Sequence, residues 1–285
     1  MMQKYIKLKN GIQIPRLGMG TWYLGDDIAR RNEEIEALQA GIDAGLTLID
    51  TAEMYGSGKS ESLIGEAIKD YDREKLFLVS KVYPHNAETG KIEKSVHASL
   101  KRLGTDYLDM YLLHWRGGIP LSHTVWCMEE LVKQGVIKNW GVSNFDVDDM
   151  QELMSVKDGK NCALNQVLYH IASRGIEYDL LPWQKENNIP VMAYCPLAHG
   201  GSLRSSLLQN PVLIEIAGKY NVSIMQLLLL FVMRHDNVIA IPKSSKKEHI
   251  IENSKVLELE INDEDIALID SEFPPPTMKT YLDIV

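Results

Sequence analysis

Short apolar runs alternate with amphipathic segments along most of the chain, as far as about residue 254. In the amphipathic segments apolar residues recur every three or four positions, as at Ile35, Leu38 and Ile42, which is typical of helices that pack on one face. The apolar runs have the length of β-strands. The clearest predicted helices are 33–44, 91–102, 122–134 and 176–187. The eight predicted strands that alternate with helices are 17–20, 47–50, 76–82, 107–114, 137–143, 163–166, 191–195 and 238–242.

The beginning of the chain predicts a β-hairpin, because short apolar runs flank Asn10-Gly11 on both sides. Eight strand–helix units over roughly 250 residues match the size of a (β/α)8 TIM barrel. A doubly wound sheet remains an alternative, since the number of strands does not reveal whether a sheet closes. No linker of Gly, Ser or Pro interrupts the series, so we expect one domain over residues 1–285, with a short tail from about residue 274, where three prolines end the packed structure.

Polar or ionisable residues stand where the predicted strands end. In a barrel the carboxyl ends of all strands meet at one mouth, which is where the active sites of such barrels lie. The pattern therefore predicts a catalytic site at this mouth. The residues at the strand ends are Asp50, Lys81, His114, Ser143-Asn144, Gln166, Tyr194 and Pro242-Lys243.

Composition and charge exclude several classes of protein. The formal net charge of −9 makes non-specific binding to nucleic acid or anionic lipid unfavourable. The longest apolar run, 224–233, is too short to cross a bilayer, and the N-terminus has no signal-peptide pattern. Three widely spaced cysteines, Cys127, Cys162 and Cys195, argue against a disulfide framework and favour the cytoplasm. His123 and Cys127 stand four apart, but no second ligand pair accompanies them, so no metal site is predicted.

Two nucleotide-binding motifs begin but are incomplete. Gly18 and Gly20 open a dinucleotide fingerprint that lacks its third glycine. Gly58-Lys59-Ser60 ends like a phosphate-binding P-loop, yet Glu53 occupies the position of its first glycine. Neither nucleotide-binding fold is therefore predicted.

A series of short motifs, in a characteristic order, covers nearly the whole chain. It runs through Asp50-Thr51-Ala52-Glu53-Met54-Tyr55-Gly56, Val79-Ser80-Lys81-Val82, Leu112-Leu113-His114-Trp115, Trp140-Gly141-Val142-Ser143-Asn144-Phe145, Asn165-Gln166, Tyr194-Cys195-Pro196-Leu197, Ile241-Pro242-Lys243-Ser244 and Glu252-Asn253. In these motifs the chain resembles the aldo-keto reductase family. The sequences of segments 20–23, 165–170 and 173–182 are similar to those of bacterial methylglyoxal reductases within that family.

The resemblance implies a (β/α)8 barrel that binds NADPH without a Rossmann fold and reduces small aldehydes and ketoaldehydes to alcohols. It also implies a catalytic tetrad of Asp50, Tyr55, Lys81 and His114. The chemistry of these residues suits the reaction: a tyrosine donates a proton, and a nearby ammonium is expected to lower the pKa of the phenol. Aspartate holds the ammonium in place, and a neutral histidine donates a hydrogen bond to the substrate oxygen.

Cofactor and substrate contacts follow from the same resemblance. Ser143, Asn144 and Gln166 match contacts to the nicotinamide carboxamide, and Tyr194 matches the ring that stacks on nicotinamide. Other expected cofactor contacts are Gly20, Thr21, Trp22, Asp50, Pro196, Leu197, Ile241, Pro242, Lys243, Ser244, His249, Glu252 and Asn253. Expected substrate contacts are Trp22, Met54, Tyr83, His114 and Trp115.

One expected phosphate contact departs from the family pattern. Lys243 and Ser244 match positions at the adenosine 2′-phosphate, but His249 stands where an arginine is usual. A histidine is only partly charged near neutral pH, whereas a guanidinium offers a fixed fork to phosphate. NADPH is still the expected cofactor, because Lys246 and Lys247 lie nearby, and use of NADH becomes plausible.

Two other functions fit parts of the sequence. A regulatory barrel, as in the potassium-channel β subunits, would bind cofactor tightly and turn over slowly. An aldolase-like barrel would use Lys81 as a Schiff-base nucleophile. The preferred expectation is a monomeric cytoplasmic enzyme that acts on a small-molecule carbonyl substrate and binds neither nucleic acid nor membrane.

Overall fold

The computed structural model describes residues 3–285 and begins with the expected hairpin. Strands β1 (Tyr5–Lys7) and β2 (Gln13–Pro15) pair antiparallel. Gly11 lies in the turn with φ +88°, a conformation that favours glycine. Leu8 and Ile14 are buried within the cluster of side chains that fills the barrel. The hairpin therefore closes the end of the barrel that lies opposite the mouth.

The eight predicted strands are all present and form one parallel sheet in sequential order. Backbone bridges from Leu17 to Ala240 and from Gly20 to Lys243 connect the first of these strands to the last. The sheet is thus closed into a barrel, which confirms the TIM-barrel prediction and rejects the doubly wound alternative. The strands are β3 (Gly18–Gly20), β4 (Leu48–Asp50), β5 (Phe77–Val82), β6 (Met110–Leu113), β7 (Trp140–Ser143), β8 (Asn165–Leu168), β9 (Val191–Tyr194) and β10 (Val238–Ala240).

Helices surround the barrel and cover its outer face. The four clearest predicted helices are confirmed within a few residues at their ends, except that the segment 176–187 starts as a 3-10 turn and becomes α-helical only at Leu180. The helices are α1 (Arg31–Asp43), α2 (Lys59–Ile68), α3 (Ile92–Leu103), α4 (Leu121–Lys133), α5 (Val147–Ser155), α6 (Leu180–Glu186), α7 (Gly201–Gln209), α8 (Pro211–Tyr220), α9 (Ile224–Val232), α10 (Lys247–Ser254) and α11 (Asp263–Glu272).

No single helix within residues 3–285 is long and apolar enough to span a membrane. Helices α8 and α9 have the length and apolar composition of a membrane span only when they are taken together, and the chain bends by 90° between them.

The core has two layers. Side chains between the sheet and the helices form the larger layer, and a smaller cluster fills the barrel interior. The interior is tightly packed at Gly141, where a Cβ atom would lie 2.5 Å from the carbonyl oxygen of Leu164. A substitution there would force two neighbouring strands apart. A filled interior leaves the mouth as the place where the barrel can receive a ligand.

The segment after Glu272 corrects one expectation. Residues 274–285 contain no helix or strand, but they do not mark the end of packed structure. Lys279 lies 3.4 Å from Asp146 and 3.3 Å from Asp179, Asp283 accepts a hydrogen bond from Ser173, and Leu282 packs against the core. The three prolines end helix formation, and the chain that follows them folds back beside the mouth.

Candidate active site

A cavity of about 440 Å³ opens at the carboxyl ends of the strands. Most of the side chains predicted from the sequence line it, although they come from nearly every strand. The predicted residues on its surface are Gly20, Thr21, Trp22, Asp50, Met54, Tyr55, His114, Ser143, Asn144, Gln166, Tyr194, Pro196, Leu197, Ile241, Pro242, Lys243, Ser244 and His249.

Five predicted residues do not line this cavity. Lys81 lies beneath it, in contact with Tyr55. Trp115 lines a neighbouring open groove, with its ring 4.9 Å from that of His114. Tyr83 also lies outside the cavity, with its ring 5.9 Å from that of Trp115. The other two, Glu252 and Asn253, are half-buried and buried on α10.

At the base of the cavity, the ammonium group of Lys81 is fully buried. It donates hydrogen bonds to Asp50 Oδ2 at 2.8 Å, to the carbonyl oxygen of Thr51 at 2.9 Å and to Tyr55 Oη at 3.0 Å. These three bonds occupy all three N–H groups of an ammonium. An ammonium that is held in this way is not free to act as a Schiff-base nucleophile, so the geometry disfavours the aldolase-like alternative.

The bond from Lys81 fixes the direction of the Tyr55 proton. Because an ammonium can only donate, Tyr55 Oη is the acceptor and its own hydrogen is left to point elsewhere. Tyr55 lines the cavity, so this hydrogen can be donated to a ligand there. Burial and the Asp50 carboxylate raise the pKa of Tyr55 well above its usual value, so the expected lowering by Lys81 is not found. The phenol of Tyr55 is therefore neutral and keeps its proton.

A tight backbone turn presents Tyr55 to the cavity. Gly56, Ser57 and Gly58 have φ values of 57°, 55° and 90°, all in the left-handed region. This region of backbone conformation favours glycine, which occupies two of the three positions. Immediately after the turn α2 begins at Lys59. The glycines after Tyr55 thus allow the chain to reverse at the edge of the cavity.

The imidazole of His114 faces Tyr55 across the cavity base, with ring centroids 5.9 Å apart in an edge-to-face arrangement. Burial, together with the positive charge of Lys81, lowers the pKa of His114 to about 2. The ring is therefore neutral at physiological pH and carries one N–H donor. Its Nδ1 atom is buried without a hydrogen-bond partner among the described residues.

Amide side chains line the middle of the cavity. Gln166 Nε2 donates to Asp50 Oδ1 at 2.8 Å. Tyr194 Oη donates to Asn144 Oδ1 at 2.9 Å, and Ser143 Oγ donates to the carbonyl oxygen of Gln166 at 2.9 Å. Asn144 Nδ2 donates to Ser143 Oγ at 3.3 Å, so one hydrogen-bond network joins the side chains expected at a nicotinamide to the Asp50–Lys81 pair.

Several cavity residues were missed from the sequence. Tyr23 and His199 are two of them, and their rings lie 4.6 Å and 5.7 Å from the ring of the predicted Trp22. The loop after β9 contributes Cys195 as well as His199, and Arg204 at the start of α7 holds this loop through bonds to the carbonyl oxygens of Leu197 and Ala198. The loop follows a barrel strand, which was the available signal. Ser245 and Val285 also line the cavity, as does Lys246, which the sequence had placed near the phosphate.

The residues present fit an anionic dinucleotide. The single carboxylate among the cavity-lining side chains of residues 3–285, Asp50, is already paired with Lys81. At the other end Lys243, Lys246 and Arg204 line the cavity, so an anion would meet a group of cationic side chains there. No group of three or more His, Cys, Asp or Glu side chains in the described chain is placed to hold a metal ion.

Comparisons with known proteins agree with this geometry. A family model described as "Aldo/keto reductase family" matches residues 16–272. The methylglyoxal reductase YeaE of Escherichia coli is 52% identical over 285 residues, which is 100% of both chains. A glyoxal reductase of Bacillus subtilis is 37% identical over 93% of this chain and 91% of its own. The crystal structure of an aldo-keto reductase from Klebsiella pneumoniae in complex with NADPH superposes with a TM-score of 0.96, at 51% identity over 100% of both chains.

Proposed function

Because the chain belongs to the aldo/keto reductase family, we propose that it reduces small aldehydes and ketoaldehydes of the methylglyoxal type to alcohols with NADPH. The observation that carries this proposal is the buried contact of Lys81 Nζ with Tyr55 Oη at 3.0 Å at the base of the cavity. The substrate class is supported by the names of the relatives, a methylglyoxal reductase and a glyoxal reductase.

In this proposal Tyr55 protonates the carbonyl oxygen. Lys81 holds the phenol oxygen by donating to it, and Asp50 holds Lys81. As negative charge develops on the substrate oxygen, that oxygen becomes more basic than the phenol and takes its proton. The Lys81 ammonium then stabilises the phenolate that remains, in a buried environment where its charge acts strongly.

His114 and the aromatic wall position the substrate. The neutral imidazole donates a hydrogen bond to the carbonyl oxygen, which fixes it near the Tyr55 hydroxyl. Trp22 and Met54 line the cavity and offer apolar surface to a small substrate. For Tyr83 and Trp115, which lie just outside, we propose contact with larger substrates that extend past His114.

For the cofactor, we propose that the amide side chains in the middle of the cavity and the ring of Tyr194 bind nicotinamide. The cationic end of the cavity, at Lys243, binds phosphate. Bound NADPH supplies the hydride that reduces the carbonyl carbon. Ser143, Asn144 and Gln166 orient the carboxamide, and Tyr194 packs on the ring. The remaining contacts are Gly20, Thr21, Trp22, Asp50, Pro196, Leu197, Ile241, Pro242, Lys243, Ser244, His249, Glu252 and Asn253.

We also propose that residues 1–285 form one domain that acts as a monomer in the cytoplasm. The continuous ring of strands supports a single folding unit. The three cysteines are unpaired in the described structure, which suits a reducing compartment. A single cooperative unfolding transition and a monomer mass in solution are the expected results.

The decisive experiment is steady-state oxidation of NADPH by the purified protein with methylglyoxal, glyoxal and benzaldehyde. We expect turnover within the usual range for enzymes, about 1–10³ s⁻¹, with formation of the corresponding alcohol. Tight binding of NADPH with no turnover of any carbonyl would instead favour the regulatory alternative.

A further inference from the structure

Arg30 contacts the cationic end of the cavity, where Lys243 and Lys246 lie, from a distant part of the sequence. It ends a short 3-10 turn, Ile28–Arg30, that leads into α1. Its Nη2 donates a hydrogen bond to Ser245 Oγ at 2.7 Å, across 215 positions of sequence. Ser245 itself lines the cavity, just before α10. The guanidinium therefore stands at the rim where α1 and α10 begin.

The next residue, Arg31, is placed differently. Both Nε and Nη2 of Arg31 bond to Glu66 Oε2, at 3.1 and 2.7 Å, so a carboxylate neutralises this guanidinium. Arg30 has one contact with Glu33, through Nε at 3.4 Å, and its Nη2 bonds to a neutral hydroxyl. Since a guanidinium has five N–H groups, Arg30 keeps donors for a ligand.

Arg30 belongs to a group of cations that act on one another. Partial loss of hydration at the cavity rim is the main cause that lowers the pKa of Lys243, and the positive charges of Arg30 and Arg204 lower it further, against the opposing carboxylate of Glu34. Charges that influence one another in this way lie close enough to act on a common ligand. A dianionic phosphate among them would relieve their mutual repulsion.

We propose that Arg30 donates to the adenosine 2′-phosphate of NADPH and takes over the role of the arginine that the family pattern places at His249. The planar fork of a guanidinium matches two phosphate oxygens, which neither Lys243 nor His249 can do. Arg30 is then a residue that determines the preference for NADPH over NADH, because NADH lacks this phosphate. The inference rests on the proposed use of NADPH.

The test is a fluorescence titration of NADPH and NADH into wild type, Arg30→Met and Arg31→Met. Both variants lose one positive charge at the start of α1, but only Arg30 contacts a cavity residue. For Arg30→Met we expect the Kd of NADPH to rise about tenfold or more, as for loss of a charge-assisted hydrogen bond. The Kd of NADH should change by less than about twofold, and Arg31→Met should leave both values near wild type.

Two further measurements separate a phosphate contact from a general effect on the fold. The double variant Arg30→Met/His249→Arg should recover most of the lost NADPH affinity, because it returns a guanidinium to the same phosphate. The advantage of NADPH over NADH in the wild type should also shrink as salt is raised.

The outcomes separate this inference from the proposed function. If the wild type binds NADPH and reduces methylglyoxal, but Arg30→Met binds NADPH as tightly, the inference alone fails. Equal weakening of NADPH and NADH also overturns it, because Arg30 would then act on a part that both cofactors share. A wild type that binds neither cofactor overturns the proposed function together with the inference.

Discussion

The two ends of the cavity hold their charged groups in opposite ways. At the base Lys81 and Asp50 are buried and form a direct 2.8 Å ion pair, with every N–H of the ammonium bonded. At the rim Lys243 and His249 are exposed, and Arg30 bonds to a hydroxyl. The base is thus organised before any ligand arrives, which suits a group that must act on a developing charge. The rim keeps its charges available, which suits binding of phosphate.

The largest expected difference between the two ends is in stability. Lys81→Met removes one partner of a buried pair and leaves the Asp50 carboxylate without its counter-charge. We expect the free energy of unfolding to fall by about 3–5 kcal/mol. The matched change at the rim, Lys243→Met, should alter it by less than about 0.5 kcal/mol, because this side chain is exposed. Urea unfolding of the cofactor-free proteins measures both values, and similar values would remove the distinction.

The next largest effect concerns His114, which lies at the base but outside the ion pair. Replacing it by Ala removes the proposed donor to the carbonyl oxygen, and kcat/KM for methylglyoxal should fall about 10²-fold or more. The Kd of NADPH should stay near that of wild type. His114→Gln, which keeps an N–H donor, should recover part of the rate, and His97→Ala on the exposed face of α3 serves as the control. Unchanged kcat/KM in His114→Ala would mean that another group holds the oxygen.

A smaller effect is expected from Lys243→Ala at the rim. Loss of a charge-assisted contact to phosphate should raise the Kd of NADPH about tenfold, with a much smaller change for NADH. At saturating cofactor, kcat should remain within about twofold of wild type, because the rim does not contact the reacting atoms. A large fall in kcat with unchanged affinity would assign Lys243 to the chemistry instead.

The last expected effect is a dependence of stability on pH that comes from the buried histidines. Burial lowers the pKa of His114 to about 2 and that of His170 to about 4, below the ordinary value of about 6.5 in an unfolded chain. The unfolded state therefore takes up protons that the folded state refuses, and stability falls as pH drops below about 6.5. Each histidine contributes up to about 1.4 kcal/mol per pH unit. His170→Gln should flatten the slope of unfolding free energy between pH 6.5 and 5, and an unaltered slope would contradict these pKa shifts.

The residues at the base of the cavity could be predicted from the sequence more fully than those at its rim, for a physical reason. Asp50, Lys81 and His114 lie at or within one residue of the ends of buried strands, and the carboxyl ends of barrel strands meet at one mouth. Closure of the sheet could not be read from local periodicity, because it depends on the bridges from Leu17 and Gly20 to the last strand. The resemblance to the aldo-keto reductases supplied this step.

Contacts across long sequence separations escaped prediction. The local sequence around Arg30 does not indicate its hydrogen bond to Ser245, because this contact depends on how α1 and α10 pack. The contacts of Lys279 with Asp146 and Asp179, and the position of Val285 at the cavity, likewise depend on tertiary packing after the prolines. The pKa of Tyr55 was expected to fall because Lys81 is near, yet burial and the Asp50 carboxylate raise it. Burial of a side chain is set by the whole fold, and spacing in sequence does not report it.

The most direct test of the central claim is Tyr55→Phe, measured for turnover and cofactor affinity in the same preparation. The change removes the proposed proton donor and keeps the ring, so kcat for methylglyoxal should fall by at least about 10²-fold, while the Kd of NADPH stays within about twofold of wild type. Tyr281→Phe, at a side chain that is 97% exposed, is the matched control and should behave as wild type. Near-normal turnover in Tyr55→Phe would contradict the assignment of Tyr55 as the proton donor.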